Sequence, residues 1–163
     1  FCRRHLVFRT SWVVGAHGKN FVKTMLGLAS EHDSLRVVAD QIGAPTSAKL
    51  LAEVTANILM QMIDATADDR RWGLYHLTGG GATSWNGLAR RVISRAAAAG
   101  LPLKVTPEKV TEIATVDYPT PAKRPANSRL DTGKLRTTFE ISIPDWTDGM
   151  DEVLDRIITE MRS

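Results

Sequence analysis

The sequence predicts an α/β fold, and three observations carry that expectation. Short runs rich in Val, Leu and Phe alternate with longer segments whose apolar residues recur every three or four positions. Clusters of Gly, Pro, Asn and Asp separate the two kinds of segment. The chain has 163 residues, 43% hydrophobic and 24% charged, which is long and apolar enough for a sizeable core.

Residues 6–14 are rich in Val, Phe and Trp, lack helical spacing, and read as one strand. After Asn20, the apolar residues Phe21, Val22, Met25, Leu26, Leu28 and Ala29 recur at helical intervals. Residues 35–38 form a short strand, and 40–45 read as a turn. Pro45 with Thr46 or Ser47 opens a second helix, where Leu50, Leu51, Val54, Ile58, Leu59 and Met62 make an apolar face. Residues 65–71 are a polar loop and 73–78 another short strand, broken by Gly79-Gly80-Gly81. Ser84 can cap the next helix, which carries Trp85, Leu88, Ala89, Val92, Ile93 and Ala96 and stops at Gly100. Residues 103–105 and 110–113 lean towards strand. Pro119, Pro121 and Pro125 keep 118–127 extended or turning. Asp131 can cap a short helix through Leu135. The last helix starts near Thr147 and shows Met150, Val153, Leu154, Ile157, Ile158 and Met161 on one side.

Charge and chemistry narrow the function classes. The net charge of +3 is a mild excess with no basic stretch interleaved with aromatics, so nucleic-acid binding gains no support. Cys2 is the single cysteine and has no internal disulfide partner, which fits an intracellular, cytoplasmic chain. Arg3-Arg4 precede only Leu6-Val7-Phe8, too short a run for a signal peptide or a membrane span. A first residue other than Met suggests a fragment or a chain whose start has been removed. The histidines His5, His17, His32 and His76 are scattered, so no metal centre is expected. Gly79-Gly80-Gly81 joins a strand to a helix, where phosphates bind, but it lacks the G-x-G-x-x-G pattern and a P-loop lysine, and reads as a turn. No nucleophile-elbow pattern surrounds Ser84. Lys123-Arg124 and Arg129 are either a solvated basic loop or an anion clamp. On composition and spacing alone, Trp12, Trp85 and Trp146 read as core.

The order of motifs is more specific. Arg9-Thr10-Ser11-Trp12-Val13-Val14-Gly15 is followed by Asn20-Phe21-Val22-Lys23-Thr24-Met25-Leu26 and Asp40-Gln41-Ile42-Gly43-Ala44-Pro45-Thr46. Gly73-Leu74-Tyr75-His76-Leu77, Thr83-Ser84-Trp85, the block from Tyr118 to Asp131, and Pro144-Asp145-Trp146 complete the series. Together they resemble the C-terminal half of the dTDP-4-dehydrorhamnose reductase family of extended short-chain dehydrogenase/reductases, over nearly the whole chain.

That resemblance implies the substrate-binding part of an NAD(P)-binding, Rossmann-type enzyme that lacks most of its Rossmann sheet. Residues 1–19 would be a residual late strand and turn of the Rossmann domain, with sheet neighbours upstream, and 20–163 the substrate-binding domain. The full-length enzyme would reduce the C4 ketone of dTDP-6-deoxy-L-lyxo-4-hexulose with NADPH or NADH, giving dTDP-L-rhamnose. Trp12 would face the sugar. The family has Tyr two residues further on, where this chain has Val14. Arg124, with Arg129, would meet the diphosphate of the nucleotide-sugar, or else serve the fold by pairing with a carboxylate. The family's glycine-rich cofactor turn and Tyr-x-x-x-Lys pair do not occur, since Tyr75 is followed four residues on by Gly79 and Tyr118 by Ala122. The chain alone is therefore expected to bind no nicotinamide cofactor and to be inactive. Self-association through the N-terminal strand is expected, since unpaired apolar edges recruit other chains. A non-catalytic regulatory module, such as the methionine adenosyltransferase β subunit that resembles the same family, or an inactive truncated product, is the alternative.

Overall fold

Leu6 and Phe8 turn inward and Val7 and Arg9 outward, the period-two signature of a strand with one face on a core. In the computed structural model, which describes residues 2–120, 122 and 124–162, this strand is β1 (Leu6–Arg9). Phe1, Pro121, Lys123 and Ser163 lie outside the described residues, so the expectations placed on Pro121 and Lys123 have no structural counterpart.

The expected strand over 6–14 is two strands. Trp12 adopts φ 47°, in the left-handed region, and this breaks the pleat between β1 and β2 (Val13–Val14). β1 also has a neighbour downstream, which the expectation of upstream neighbours did not include. β1 pairs in parallel with β6 (Gly73–His76), Phe8 opposite Tyr75, within the same chain. β2 pairs in parallel with β5 (Thr46–Ser47). The stretch read as a turn contains β4 (Ile42–Gly43), antiparallel to β7 (Thr83–Ser84). β3 (Leu35–Val38) pairs in parallel with β8 (Val110–Ile113).

Helices cover these strands in two layers. The helix α2 (Ala48–Met62) starts where Ser47 Oγ accepts from Leu50 N at 3.1 Å. Its Leu50, Val54, Ile58 and Met62 pack with Tyr75, Leu77, Leu6 and Phe8, and with Leu135 and Phe139 of α4 (Gly133–Phe139). That helix runs a turn beyond the expected Leu135, because burying Phe139 against Tyr75 (ring centroids 5.1 Å apart) rewards the extension. Its N-cap is Thr132, while Asp131 Oδ1 accepts from Gly133 N at 2.7 Å.

The second layer joins α1 (Phe21–Glu31), α3 (Trp85–Ala98) and α5 (Trp146–Arg162) over β3 and β8. Asn20 and Ser84 cap α1 and α3 through Lys23 N and Gly87 N, and Gly100, at φ 81°, ends α3. Residues 103–105 are not a strand: Lys104 N and Val105 N both donate to Ala29 O near the end of α1. Salt bridges bind α3 to α5, Arg91 gripping Asp151 through two bonds of 3.0 and 2.8 Å and Arg95 meeting Asp155 at 2.7 Å. The layers do not follow sequence order, since the β1–β6 layer draws on residues 6–8, 50–77 and 135–143. Among the described residues no helix is long and apolar enough to cross a membrane.

Candidate functional site

Trp12 lies just beyond the C-terminal end of β1, the end of a parallel strand pair where α/β folds place ligands. Its indole is stacked on that of Trp85, with centroids 3.7 Å apart and planes 16° from parallel. Trp85 also meets Phe21, at 4.7 Å and 50°. Against the fused bond of the Trp12 ring lies Gly43. A Cβ there would come within 2.5 Å of Trp12 Cε2 and 2.9 Å of Cδ2 and Cζ2, so only glycine admits the ring. Trp85, expected in the core, packs half-buried against it and also faces this site. Beside Trp12, Ser11 Oγ is buried with no hydrogen-bond partner among the described residues.

A polar chain runs from the stack to the loop after β8. Trp85 Nε1 donates to Gln41 Oε1 at 3.2 Å, and Gln41 Nε2 donates to Thr115 Oγ1 at 3.0 Å. Thr115 Oγ1 donates to Asp40 Oδ1 at 2.6 Å, and Thr115 N reaches both oxygens of Asp40 at 3.0 Å. These bonds, the hydroxyl's first and the backbone amide's second, hold the Asp40 carboxyl below its ordinary value, because they favour the charged form.

The end of the proline-rich segment, a strap over residues 124–131, is fastened to β4. Ile42 N donates to Ala126 O at 2.8 Å and Ser128 N donates to Ile42 O at 2.7 Å, bracketing Asn127. Arg129 is exposed, and both its N and its Nε donate to Asn127 Oδ1, at 3.1 and 3.0 Å. Arg124 is exposed two residues before the first of those bonds. β4 thus brings the strap to the stack, with Ile42 on the one and Gly43 on the other. The family resemblance singled out Trp12, Arg124 and Arg129, and missed Gln41, Gly43, Trp85 and Thr115. The signal for Gln41 and Gly43 was the Asp40–Thr46 block, whose turn-like residues hid two short strands.

The glycine triplet holds two segments together. Gly80 N donates to Pro144 O at 2.8 Å and Trp146 N donates to Gly80 O at 2.9 Å. A Cβ at 79 would lie 2.6 Å from Pro45 O, and one at 81 would lie 2.7 Å from the Asp145 carboxylate. Backbone and an acid fill the space a phosphate would need. Among the described residues no three His, Cys, Asp or Glu side chains gather to hold a metal. A separate cleft of about 530 Å³, lined among others by Gly15, Lys49, Glu152 and Arg156, contains no residue of the stack or strap.

The family model described as RmlD substrate binding domain matches residues 1–159. The dTDP-4-dehydrorhamnose reductase of Escherichia coli (strain K12) is 44% identical over 159 residues, 98% of this chain and 52% of that protein. The dTDP-4-dehydrorhamnose reductase of Burkholderia thailandensis is 45% identical over 144 residues, 86% of this chain and 48% of that protein. Among solved structures, a dTDP-4-dehydrorhamnose reductase of Clostridium acetobutylicum superposes with a TM-score of 0.71 at 34% identity, over 92% of this chain and 48% of that one. One from Bacillus anthracis, in complex with NADP, gives 0.67 at 33%, over 95% and 48%. The chain spans about half the length of the curated relatives it matches.

Proposed function

The chain belongs to the RmlD substrate binding domain family, and we propose that it is the nucleotide-sugar-holding half of a dTDP-4-dehydrorhamnose reductase. The whole enzyme would reduce the C4 ketone of dTDP-6-deoxy-L-lyxo-4-hexulose to dTDP-L-rhamnose. The observation that carries this reading is the meeting, on β4, of an aromatic pair with a strap bearing two exposed arginines. Indole contributes apolar contact to a deoxysugar, and guanidinium pairs with diphosphate. With one face on Trp85 and its fused bond on Gly43, Trp12 offers the ring edge in this conformation. Face-on contact with a hexose requires the stack to open.

In the whole enzyme NADPH or NADH would supply the hydride. The residues described here do not fit a dinucleotide. The glycine triplet is packed against Pro45, Pro144 and Asp145, and neither tyrosine has a lysine four residues on. The hydride step is therefore assigned to no residue of this chain, and neither is proton transfer to the reduced ketone. The packing supports a division by layer rather than at residue 19. The β1–β6 layer with α2 and α4 is the Rossmann side, and α1, α3 and α5 over β3–β8 the substrate side.

Titration of the chain with dTDP-L-rhamnose and with dTDP, read by Trp fluorescence, tests the proposal. The expected result is a saturable change that Trp12→Ala removes for the sugar. Arg124→Ala should weaken dTDP binding by about 1.5–3 kcal/mol, and thymidine binding much less. No response to either nucleotide, with the chain folded, would favour the alternative of a non-catalytic module that works by protein contact.

A further inference from the structure

We propose that Gln41 is a positioning residue that fixes the Trp12–Trp85 stack and the 124–131 strap relative to each other. The inference rests on the reading that this end of the fold holds a nucleotide-sugar.

Gln41 is 7% exposed, and its amide is satisfied at both ends by side chains from distant parts of the chain. The polarity of the line through it has one solution. An indole N–H only donates and a carboxylate only accepts. Trp85 must therefore give its proton to Gln41 Oε1, which turns the amide nitrogen towards Thr115. The Thr115 oxygen accepts that N–H and spends its own proton on Asp40. Reversing any bond leaves two donors or two acceptors facing each other.

The two ends of this line govern different parts of the site. The Trp85 end fixes the ring on which Trp12 lies. The Thr115 end fixes the 3-10 turn Thr115–Asp117, capped by Tyr118, which precedes the strap in the chain. Ile42, next to Gln41, receives the strap on its return. Seating a hexose at the tryptophans and holding a diphosphate at the strap's arginines are thus coupled through one buried amide. Leucine at 41 cuts both links. Glutamate keeps an acceptor for Trp85, has no N–H for Thr115, and adds a charge near Asp40.

The experiment compares the chain with its Gln41→Leu and Gln41→Glu variants. One readout is the circular-dichroism couplet of the stacked indoles; the other is the ratio of affinities for dTDP-L-rhamnose and dTDP. Gln41→Leu is expected to abolish the couplet and reduce the ratio about tenfold, the scale of one or two net hydrogen bonds. Gln41→Glu is expected to keep the couplet and weaken dTDP itself. A Gln41→Leu protein that melts earlier but keeps both couplet and ratio overturns the proposal. If Gln41→Leu does not fold, Thr115→Val cuts only the strap end. It should then behave as Gln41→Glu does, and wild-type behaviour overturns the proposal. If the unaltered chain binds neither nucleotide, the nucleotide-sugar reading fails by itself. The couplet then decides: its loss in Gln41→Leu alone supports the positioning role, and its survival there overturns it.

Discussion

Trp12 is a bulky residue at φ 47°, a conformation that costs about 1–3 kcal/mol and persists only where its surroundings determine it. Here the surroundings are the Trp85 ring and the bare backbone of Gly43. Gly43→Ala places a methyl group inside the ring's contact distance, so either Trp12 or β4 must move. The expected cost is about 1–3 kcal/mol of stability, seen as a lower midpoint in denaturant, together with loss of the Trp–Trp couplet. A variant as stable as the parent with an unchanged couplet would show that the ring has room. Trp12 was visible in the sequence because it lies within the Arg9–Gly15 block that carries the family resemblance. Gly43 was not, because its glycine is demanded by a ring from another segment and by nothing in its own neighbours.

The four long helices were readable from their spacing, and for α1, α2 and α3 a capping side chain one residue before the start agreed with it. Both signals are local. The two-residue strands were unreadable, because pairing across the chain creates them and they have no pattern of their own. Two contacts between or beside elements give predictions. Arg91 and Asp151 are partly buried and doubly bonded, and Arg91 also lies 5.6 Å from the Trp146 ring centroid. Asp151→Ala should cost about 1 kcal/mol in denaturant titrations at low salt, above an exposed pair, and less at high salt. Before β6, Arg71 binds the Asp69 carboxylate and, through its carbonyl, accepts from Tyr75 Oη at 2.7 Å. Hydrogen bonds from Arg71 bring Asp69 down from 3.8 to about 2. A depressed folded value means the stabilisation is complete above pH 3.8 and is lost as pH falls towards about 2. Thermal melts across that window should fall more steeply for the parent than for Asp69→Asn. Parallel curves would remove Asp69 from the account.

At the scale of the molecule, the β1–β6 layer has a core on one face only. Leu6, Phe8 and Tyr75 turn towards α2 and α4, while the cross-strand pair Val7 and Leu74 stays 46% and 37% exposed on the other face. Parallel sheets ordinarily bury both faces, and two strands alone are marginal. Among the described residues β1 pairs only with β6, so its outer edge also presents free backbone groups. For the 163-residue chain in isolation, edge and face together should recruit a second copy. Sedimentation velocity over a micromolar concentration series is expected to show a monomer–dimer equilibrium. Val7→Lys puts a charge in the strip and should return the monomer with its helix content intact. A second exposed apolar group, Leu59, Met60 and Ile63 at the end of α2, offers a rival contact. If Met60→Lys dissolves the dimer and Val7→Lys does not, association runs through that helix and the sheet edge is not the cause. A parent chain that stays monomeric throughout would show that neither surface is sticky enough to act alone.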